Sequence, residues 1–472
     1  MFEKKEGVDY ISNYYRHDLY DKSKMLYLLT VDDGGFIFLN DSAFKQLRRG
    51  RIEDLDIYSK LEEKGIIVTE KNFNSIVKKT KKRYSFLDNG TSLHIVIPTS
   101  RCNLGCKYCF ADPLPITSSK EEYDLDEKTA MKIIEFIMKS SSNAATIEFQ
   151  GGEATARFDL VKLMTNYAKE LNKTKKKDLQ FTIVSNLTLM TEEMALWLIR
   201  NDVSICTSLD GPKIVHDKNR IIHVKEGREV GTHQNVVSWI RKINELLKQE
   251  KKDWKVNALM TLTRHSLPYH KEIIDEYLSL DLNLLDIRGL TRVGKAVGEE
   301  SEDMSYPFDE FVDFYEKSLE YMKELRAKGI PVDDRMRELY DIKVLEARPT
   351  YHTDYESPCG AATGQITYHS NGDIYTCHEA LGKDEFKLGN VFKDNWNSIF
   401  KKPQTSKAIL NSMIESNSKL SSKLLVAVGL SNSKLLLISI ASERFIEELS
   451  PNSPEKFLPQ TNTFPSLVSP PE

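Results

Sequence analysis

The stretch Arg101-Cys102-Asn103-Leu104-Gly105-Cys106-Lys107-Tyr108-Cys109-Phe110 sets three thiols at a C-x3-C-x2-C spacing. Thiolates are the usual ligands of iron–sulfur clusters. A cubane needs four ligands, so a triad leaves one iron open to bind something else. A zinc loop is the alternative, but zinc normally takes a fourth ligand, and Cys206 is the only other cysteine before residue 359. Immediately upstream, Leu93-His94-Ile95-Val96-Ile97-Pro98 reads as a strand running into a loop. The triad is therefore expected just past the end of a strand.

From residue 93 to about 330 the chain alternates strand and helix patterns. Strands are expected at 93–98, 146–150, 181–185, 203–208, 256–261 and 284–288, with helices at about 126–140, 159–172, 191–200, 234–249, 268–279 and near 308–327. Six successive β/α units imply a parallel sheet, and both a doubly wound sheet and a partial (β/α)6 barrel fit. Chemistry in barrels gathers on loops at the strands' C-terminal ends, and the other informative residues fall there. Gln150 is followed by Gly151-Gly152-Glu153, the third strand runs into Ser185-Asn186, and the fourth into Thr207-Ser208-Leu209-Asp210-Gly211-Pro212 with His216-Asp217-Lys218-Asn219-Arg220 behind it. Cys206, beside Ile205 in the fourth strand, is expected to be a small core residue and not a ligand.

Residues 1–88 read as a separate region. Leu26–Thr30 and Gly35–Leu39, joined through Val31-Asp32-Asp33-Gly34, predict a hairpin with an Asp-Gly turn. A short helix from Asp41, another from Ile52 to Glu63 and a strand at Gly65–Val68 are expected to follow. The run Lys78-Lys79-Thr80-Lys81-Lys82-Arg83 reads as solvated surface. With 66 basic and 70 acidic side chains the net charge is −4, which gives no reason to expect a nucleic-acid partner. The polar opening Met1–Glu6 predicts no signal peptide, and six cysteines with three clustered fit a reducing cytoplasm and a metal site. Leu424–Ala441 is apolar but interrupted by Ser431-Asn432-Ser433-Lys434, so no membrane span is expected.

The triad with Tyr108 before its third cysteine, the Gly-Gly-Glu segment, and the SLDGP and HDxxR segments together resemble the radical S-adenosylmethionine (SAM) superfamily, and within it the peptide-maturing enzymes. The resemblance implies the partial (β/α)6 barrel over residues 89–330. It also implies a [4Fe-4S] cluster on Cys102, Cys106 and Cys109, with the methionine end of SAM on the open iron. Tyr108, Gly151, Gly152, Glu153, Ser185, Asn186, Ser208 and Arg220 would line the SAM site, Glu153 accepting from the methionine ammonium. Residues 1–88 resemble a winged-helix module that binds leader peptides; an inert cap fits the same pattern. Thr91–His94, Glu148–Glu153, Thr207–Pro212, Ala258–Thr261 and Cys359-Gly360-Ala361 look most like the B-type maturase of the His-Xaa-Ser peptide systems, a similarity covering roughly residues 20–400.

Ser357-Pro358-Cys359-Gly360, Gly372 through Ala380 and Leu388-Gly389-Asn390-Val391 resemble the front half of a SPASM domain, which implies auxiliary iron–sulfur ligands at Cys359 and Cys377. Relatives supply further cysteines later, whereas none follows Cys377 here. Residues 331–405 thus read as an incomplete SPASM-like region and 406–472 as an atypical tail, explained by a frameshift or truncation near 417–425. An auxiliary cluster would then have two thiolates instead of four. In sulfatase-maturing relatives an Asp directly after the G-x4-C cysteine acts as a base; that position is His378, the candidate catalytic residue. The activity implied is reductive cleavage of SAM to a 5′-deoxyadenosyl radical that modifies a ribosomally made peptide. Its partners would be the precursor peptide and an electron donor such as flavodoxin or ferredoxin. Sulfatase-maturase-like oxidation of a protein Cys or Ser, and a non-catalytic product of a damaged gene, are the alternatives.

Overall fold

The computed structural model describes residues 10–412 except 14, 32–34, 84–89, 224–228, 298–300, 345–349, 351 and 354–358. In the first region β1 (Tyr15–Asp21), β2 (Leu26–Val31) and β3 (Phe36–Asn40) form an antiparallel sheet in that order. The pairing of β2 with β3 meets the hairpin expectation, while the Asp-Gly turn itself lies outside the described residues. Helix α1 (Asp41–Arg49) begins where the Asn40 side chain accepts from Ala43 N, and ends at Gly50 with φ 80°. Helix α2 (Leu55–Glu63) is capped by Asp54 in the same way. Leu29, Leu39, Phe44, Leu47, Leu61 and Ile67 give this region its own apolar core. The basic run lies on α3 (Phe73–Arg83), with Lys78, Lys79, Lys81 and Lys82 exposed.

The barrel region supplies β4 (Leu93–Val96), α4 (Glu127–Ile137), β5 (Ala144–Phe149), α5 (Phe158–Lys175), β6 (Asp178–Ser185), α6 (Glu192–Arg200) and β7 (Val203–Ser208). It continues through α7 (Lys213–Asn219), the small hairpin β8 (Ile221–His223) and β9 (Glu229–Gly231), α8 (His233–Gln249), β10 (Asn257–Leu262), α9 (His270–Ser279), β11 (Ile287–Gly289) and α10 (Phe308–Ala327). Strands β4, β5, β6, β7, β10 and β11 pair in parallel in chain order, as the partial barrel requires and a doubly wound sheet does not. Side chains on one face, such as Ile147, Phe149, Ile183, Ile205 and Met260, are buried in the main core that the helices complete. On the alternate face of β7, Ser204, Cys206 and Ser208 are half-buried. The sixth expected strand splits, because Leu284–Leu285 pairs with Asp333–Asp334 and only Ile287–Gly289 pairs with β10.

The SPASM-like region continues the same sheet. Strand β12 (Gln365–Tyr368) pairs in parallel with β4, placing Leu93 opposite Gln365 and Val96 opposite Tyr368, and β13 (Asp373–Tyr375) and β14 (Lys387–Asn390) follow antiparallel. Buried His94 lies within 3.1 Å of the Tyr368 hydroxyl, and Trp396 packs on Phe136 at 4.9 Å while donating to its carbonyl at 2.8 Å. Helix α11 (Pro403–Ser412) crosses the expected boundary at residue 405, with Ala408 against the core; the frameshift expectation near 417–425 lies outside the described residues. Among the described residues no helix is long and apolar enough to cross a membrane.

The loop after β4 is anchored by Arg101, whose Nε and Nη2 reach the two Asp124 oxygens at 2.7 and 2.6 Å, both side chains being 3% exposed. Removing one partner of such a pair strands the other as a buried charge. Asp124→Ala is therefore expected to lower stability by about 3–5 kcal/mol in urea unfolding, far more than an exposed pair such as Lys45–Asp41 would.

Candidate active site at the strand ends

The cysteine loop follows β4 directly. Cys102 and Cys106 are buried and Cys109 half-buried, packed with Leu104 and Ile222. Burial pushes the Cys106 thiol up to about 12 and raises Cys102 and Cys109 as well. Glu153 pushes Cys102 further, whereas Arg220 and Lys295 pull Cys106 and Cys109 back. Cys102 Sγ accepts from Leu104 N at 3.4 Å and from Asn186 Nδ2 at 3.8 Å, contacts that favour a thiolate. Three thiols in one apolar recess with N–H groups aimed at a sulfur fit an iron–sulfur ligand set. Among the described residues no three His, Cys, Asp or Glu side chains, the triad included, gather around a single ion position, so the preference for a cluster over zinc rests on the three-thiol spacing. Cys206 sits apart, its thiol raised to about 12 by burial and facing the charges of Glu148, Arg288 and Asp286.

The Gly-Gly-Glu segment is built against this loop. Gly152 N donates to Thr99 O at 3.0 Å and Glu153 N to Arg101 O at 2.9 Å. A Cβ on Gly152 would stand 2.1 Å from Arg101 O, and one on Gly151, at φ 129°, 2.4 Å from Thr99 O. The glycines therefore admit the cysteine loop's own backbone, a role the sequence reading gave to a ligand. Glu153 is 1% exposed; its Oε1 accepts from Thr155 N, Thr155 Oγ1 and Ser185 Oγ, and its Oε2 from Asn186 N at 2.8 Å. Burial raises its carboxyl despite these donors. With about four lone-pair sites on a carboxylate, Oε2 keeps capacity for one more donor. Asn186 in turn donates to Asn103 Oδ1 at 3.1 Å, and Asn103 donates to Thr188 Oγ1 at 2.6 Å. Ser185 and Asn186 thus serve first to hold the end of β6 against Glu153 and the cysteine loop.

Asp210, fully buried after β7, is the residue that sequence reasoning left inside a turn motif. Its Oδ2 accepts from Tyr108 Oη at 2.7 Å, Asn219 Nδ2 at 3.0 Å and Arg220 Nε at 3.2 Å, and its Oδ1 from Thr261 N at 3.2 Å. Burial alone would raise its carboxyl, but Arg220, with His216, Tyr108 and Asn219, holds it below the usual carboxylate range. The Arg220 guanidinium also lies 5.1 Å from the Tyr108 ring centre. Tyr108 and Arg220, expected at SAM, spend these groups on Asp210 and join the cysteine loop to β7 and β10. Ser208 remains half-buried at the end of β7.

His378 begins the turn after β13 and packs edge-on against Phe110 at 4.7 Å. Both line a cavity of about 20 Å³ with Gln150, Gly151, Gly152 and Leu381, room for about one water. The buried His378 Nδ1 has no hydrogen-bond partner among the described residues. Cys377 precedes it, and Ala362 N donating to Thr376 O at 2.8 Å joins its segment to the one that begins at Cys359. The expected auxiliary pair therefore lies on adjoining segments, while any further ligand after residue 412 would lie outside the described residues.

Asp210→Asn keeps the shape and removes the charge, leaving Arg220 unpaired. It is expected to cost about 3–5 kcal/mol at neutral pH. Because the folded carboxyl is depressed, its contribution is present above about pH 3.9 and lost as pH falls through the folded value. The acid limb of stability in the variant should accordingly be flatter than in the parent chain, measured by urea unfolding from pH 3 to 7.

Comparison with known proteins accords with this geometry. The chain is 21% identical over 343 residues to the radical SAM cyclopropyl synthase TigE of Paramaledivibacter caminithermalis, spanning 69% of this chain and 66% of that one. It is 24% identical to a cysteine-type anaerobic sulfatase-maturating enzyme of Clostridium novyi, over 68% of this chain and 82% of the relative. Among solved structures, native anSMEcpe with bound AdoMet superposes with a TM-score of 0.62 at 20% identity, covering 75% of this chain and 98% of that one. SuiB of Streptococcus suis bound to precursor peptide SuiA gives 0.51 at 17% identity, covering 88% and 94%. Residues 96–275 match the radical SAM superfamily, whose members use a [4Fe-4S] cluster and SAM, so the barrel built around Cys102, Cys106 and Cys109 is a radical SAM domain.

Proposed function

We propose that this chain cleaves SAM reductively and uses the radical to modify a ribosomally made peptide, with His378 as the base. When bound, the cluster supplies the electron and SAM the 5′-deoxyadenosyl radical. The protein's part is placement and exclusion of side reactions. Cys102, Cys106 and Cys109 would hold the cluster; Glu153, through the remaining capacity of Oε2, would take the SAM ammonium; Ser208 at the end of β7 and Arg220, whose Nε donates to Asp210, would meet the rest of SAM. The observation that carries the peptide reading is His378: a buried, unpartnered ring nitrogen beside Phe110, Gly151 and Gly152, where a proton leaving the substrate can be accepted. The first region supports it, because among the described residues β1 and β3 lie at the edges of its sheet, and an extended leader can add to such an edge. SuiB, described with a bound precursor peptide, supports the substrate class.

Oxidation of a protein Cys or Ser is the second reading, favoured by the superposition on anSMEcpe. The two separate on substrate: a short precursor peptide in one case, a sulfatase peptide bearing the Cys in the other. Replacing any one of Cys102, Cys106 or Cys109 by Ala is expected to abolish the reconstituted cluster's visible absorption and all SAM cleavage. His378→Ala should instead keep cleavage and lose peptide product, read by mass spectrometry. Anaerobic reconstitution should give about four irons per chain, one cubane, with Cys359 and Cys377 holding no complete second one. About eight irons, with one cluster surviving loss of the triad, would overturn that expectation.

A further inference from the structure

We propose that Ser100 is a positioning residue for His378, the two side chains sharing one buried water in the cavity beyond the end of β4. Ser100 Oγ and His378 Nδ1 are both buried, and neither has a hydrogen-bond partner among the described residues. Both residues line the cavity of about 20 Å³, whose other walls include Ile97, Phe110, Ala111, Pro113 and Leu381. The two residues therefore share one space, yet the two atoms do not bond each other. Buried polar atoms without a partner are costly, and ordered water is the usual source of the missing bond. One water needs about 10–15 Å³, so this cavity holds about one. Water both donates and accepts, as a serine hydroxyl does, and so bonds the imidazole nitrogen in either tautomer.

The backbone at each end of the bridge is tied down. Ser100 N donates to Tyr123 O at 3.0 Å and its carbonyl accepts from Leu114 N at 3.0 Å, while Arg101 beside it is held by Asp124. The His378 carbonyl accepts from Leu381 N at 3.2 Å, and its ring meets Phe110 edge-on at 4.7 Å. Packing on Phe110 restricts the imidazole but sets no direction for its nitrogens; a water held by Ser100 does. A side chain that must meet a substrate atom works only within a narrow range of position and angle. On the reading of His378 as the base, a proton from the substrate reaches Nδ1 through this water, which takes that proton as it passes on its own, and none is consumed. The bridge itself does not depend on that reading.

Crystals of the full chain, reconstituted anaerobically with its cluster, test the bridge directly. Parent protein should show one ordered water about 2.5–3.2 Å from both Ser100 Oγ and His378 Nδ1. Ser100→Ala should lose that water or leave it on His378 alone, with the imidazole turned or spread over two orientations and the cluster's visible absorption unchanged. Ser100→Thr, which keeps the hydroxyl, should restore the water and the ring. The activity probe is whichever of a short precursor peptide and a sulfatase Cys peptide the parent modifies. Ser100→Ala should lower kcat for that peptide by about 10–100-fold with KM unchanged, and Ser100→Thr should recover it. No water between the two atoms in the parent, an imidazole that keeps its single orientation in Ser100→Ala, or a kcat loss that Ser100→Thr fails to recover would each overturn the proposal. A water in place while His378→Ala still forms product at the parent rate would remove the base reading and leave the bridge standing.

Discussion

A carboxylate with no access to water must find its partners in the protein, and Asp210 finds four of them on three segments. An uncompensated buried charge is expensive enough that any arrangement breaking these contacts is disfavoured. The consequence reaches beyond the turn in which Asp210 lies. Tyr108 comes from the cysteine loop, Asn219 and Arg220 from the end of α7, and Thr261 from β10. One charge therefore fixes where the first strand's loop stands relative to the fourth and fifth strands. A metal-binding loop of short spacing has little apolar surface of its own, so its position has to be set from outside.

Glu153 does the equivalent on the other side of the same loop. Its oxygens gather Thr155, Ser185 and Asn186, while its backbone N–H is tied to Arg101 O. The steric need for glycine at 151 and 152 arises from the same close approach. Arg101 and Asp124 close the set at the loop's start. Three buried carboxylates thus hold one loop from three directions, and two of them belong to segments first noticed as ligand-binding motifs. A motif can serve both ends: a backbone clamped this tightly presents its remaining donors and acceptors in a fixed geometry.

The barrel was legible because its signal is periodic. Strand and helix alternation over six units leaves few topologies, and the helices at 127–137, 158–175, 192–200, 233–249, 270–279 and 308–327 fall close to their patterns. The grouping of Cys102, Cys106 and Cys109 in one recess follows from their short spacing. What the sequence could not give is pairing between residues far apart. Nothing local marks Asp210 as the partner of Tyr108 about a hundred positions earlier, or Asp124 as the partner of Arg101. The split of the sixth strand was hidden too, since Leu284-Leu285 and Ile287 form one apolar run and only tertiary pairing divides it. Strand β1 carries too little apolar alternation to stand out, and it forms by pairing with β2.

The parallel pairing of β12 with β4 has a chemical consequence of its own. A separate C-terminal domain could sit anywhere its linker allowed, but a strand added to the barrel's first strand is fixed in register, with Tyr368 opposite Val96. Buried His94, Tyr368, Phe136 and Trp396 pack across that junction. The turn between β12 and β13 stands at the end of β4, and β13 runs back antiparallel, with Ile374 opposite Tyr368 and Tyr375 opposite Thr367. The segment after β13 packs His378 against Phe110, although they are far apart in sequence. His378 and Leu381 thereby line one cavity with Phe110, Gln150, Gly151 and Gly152, so residues beyond the barrel's six strands contribute to the wall of the site.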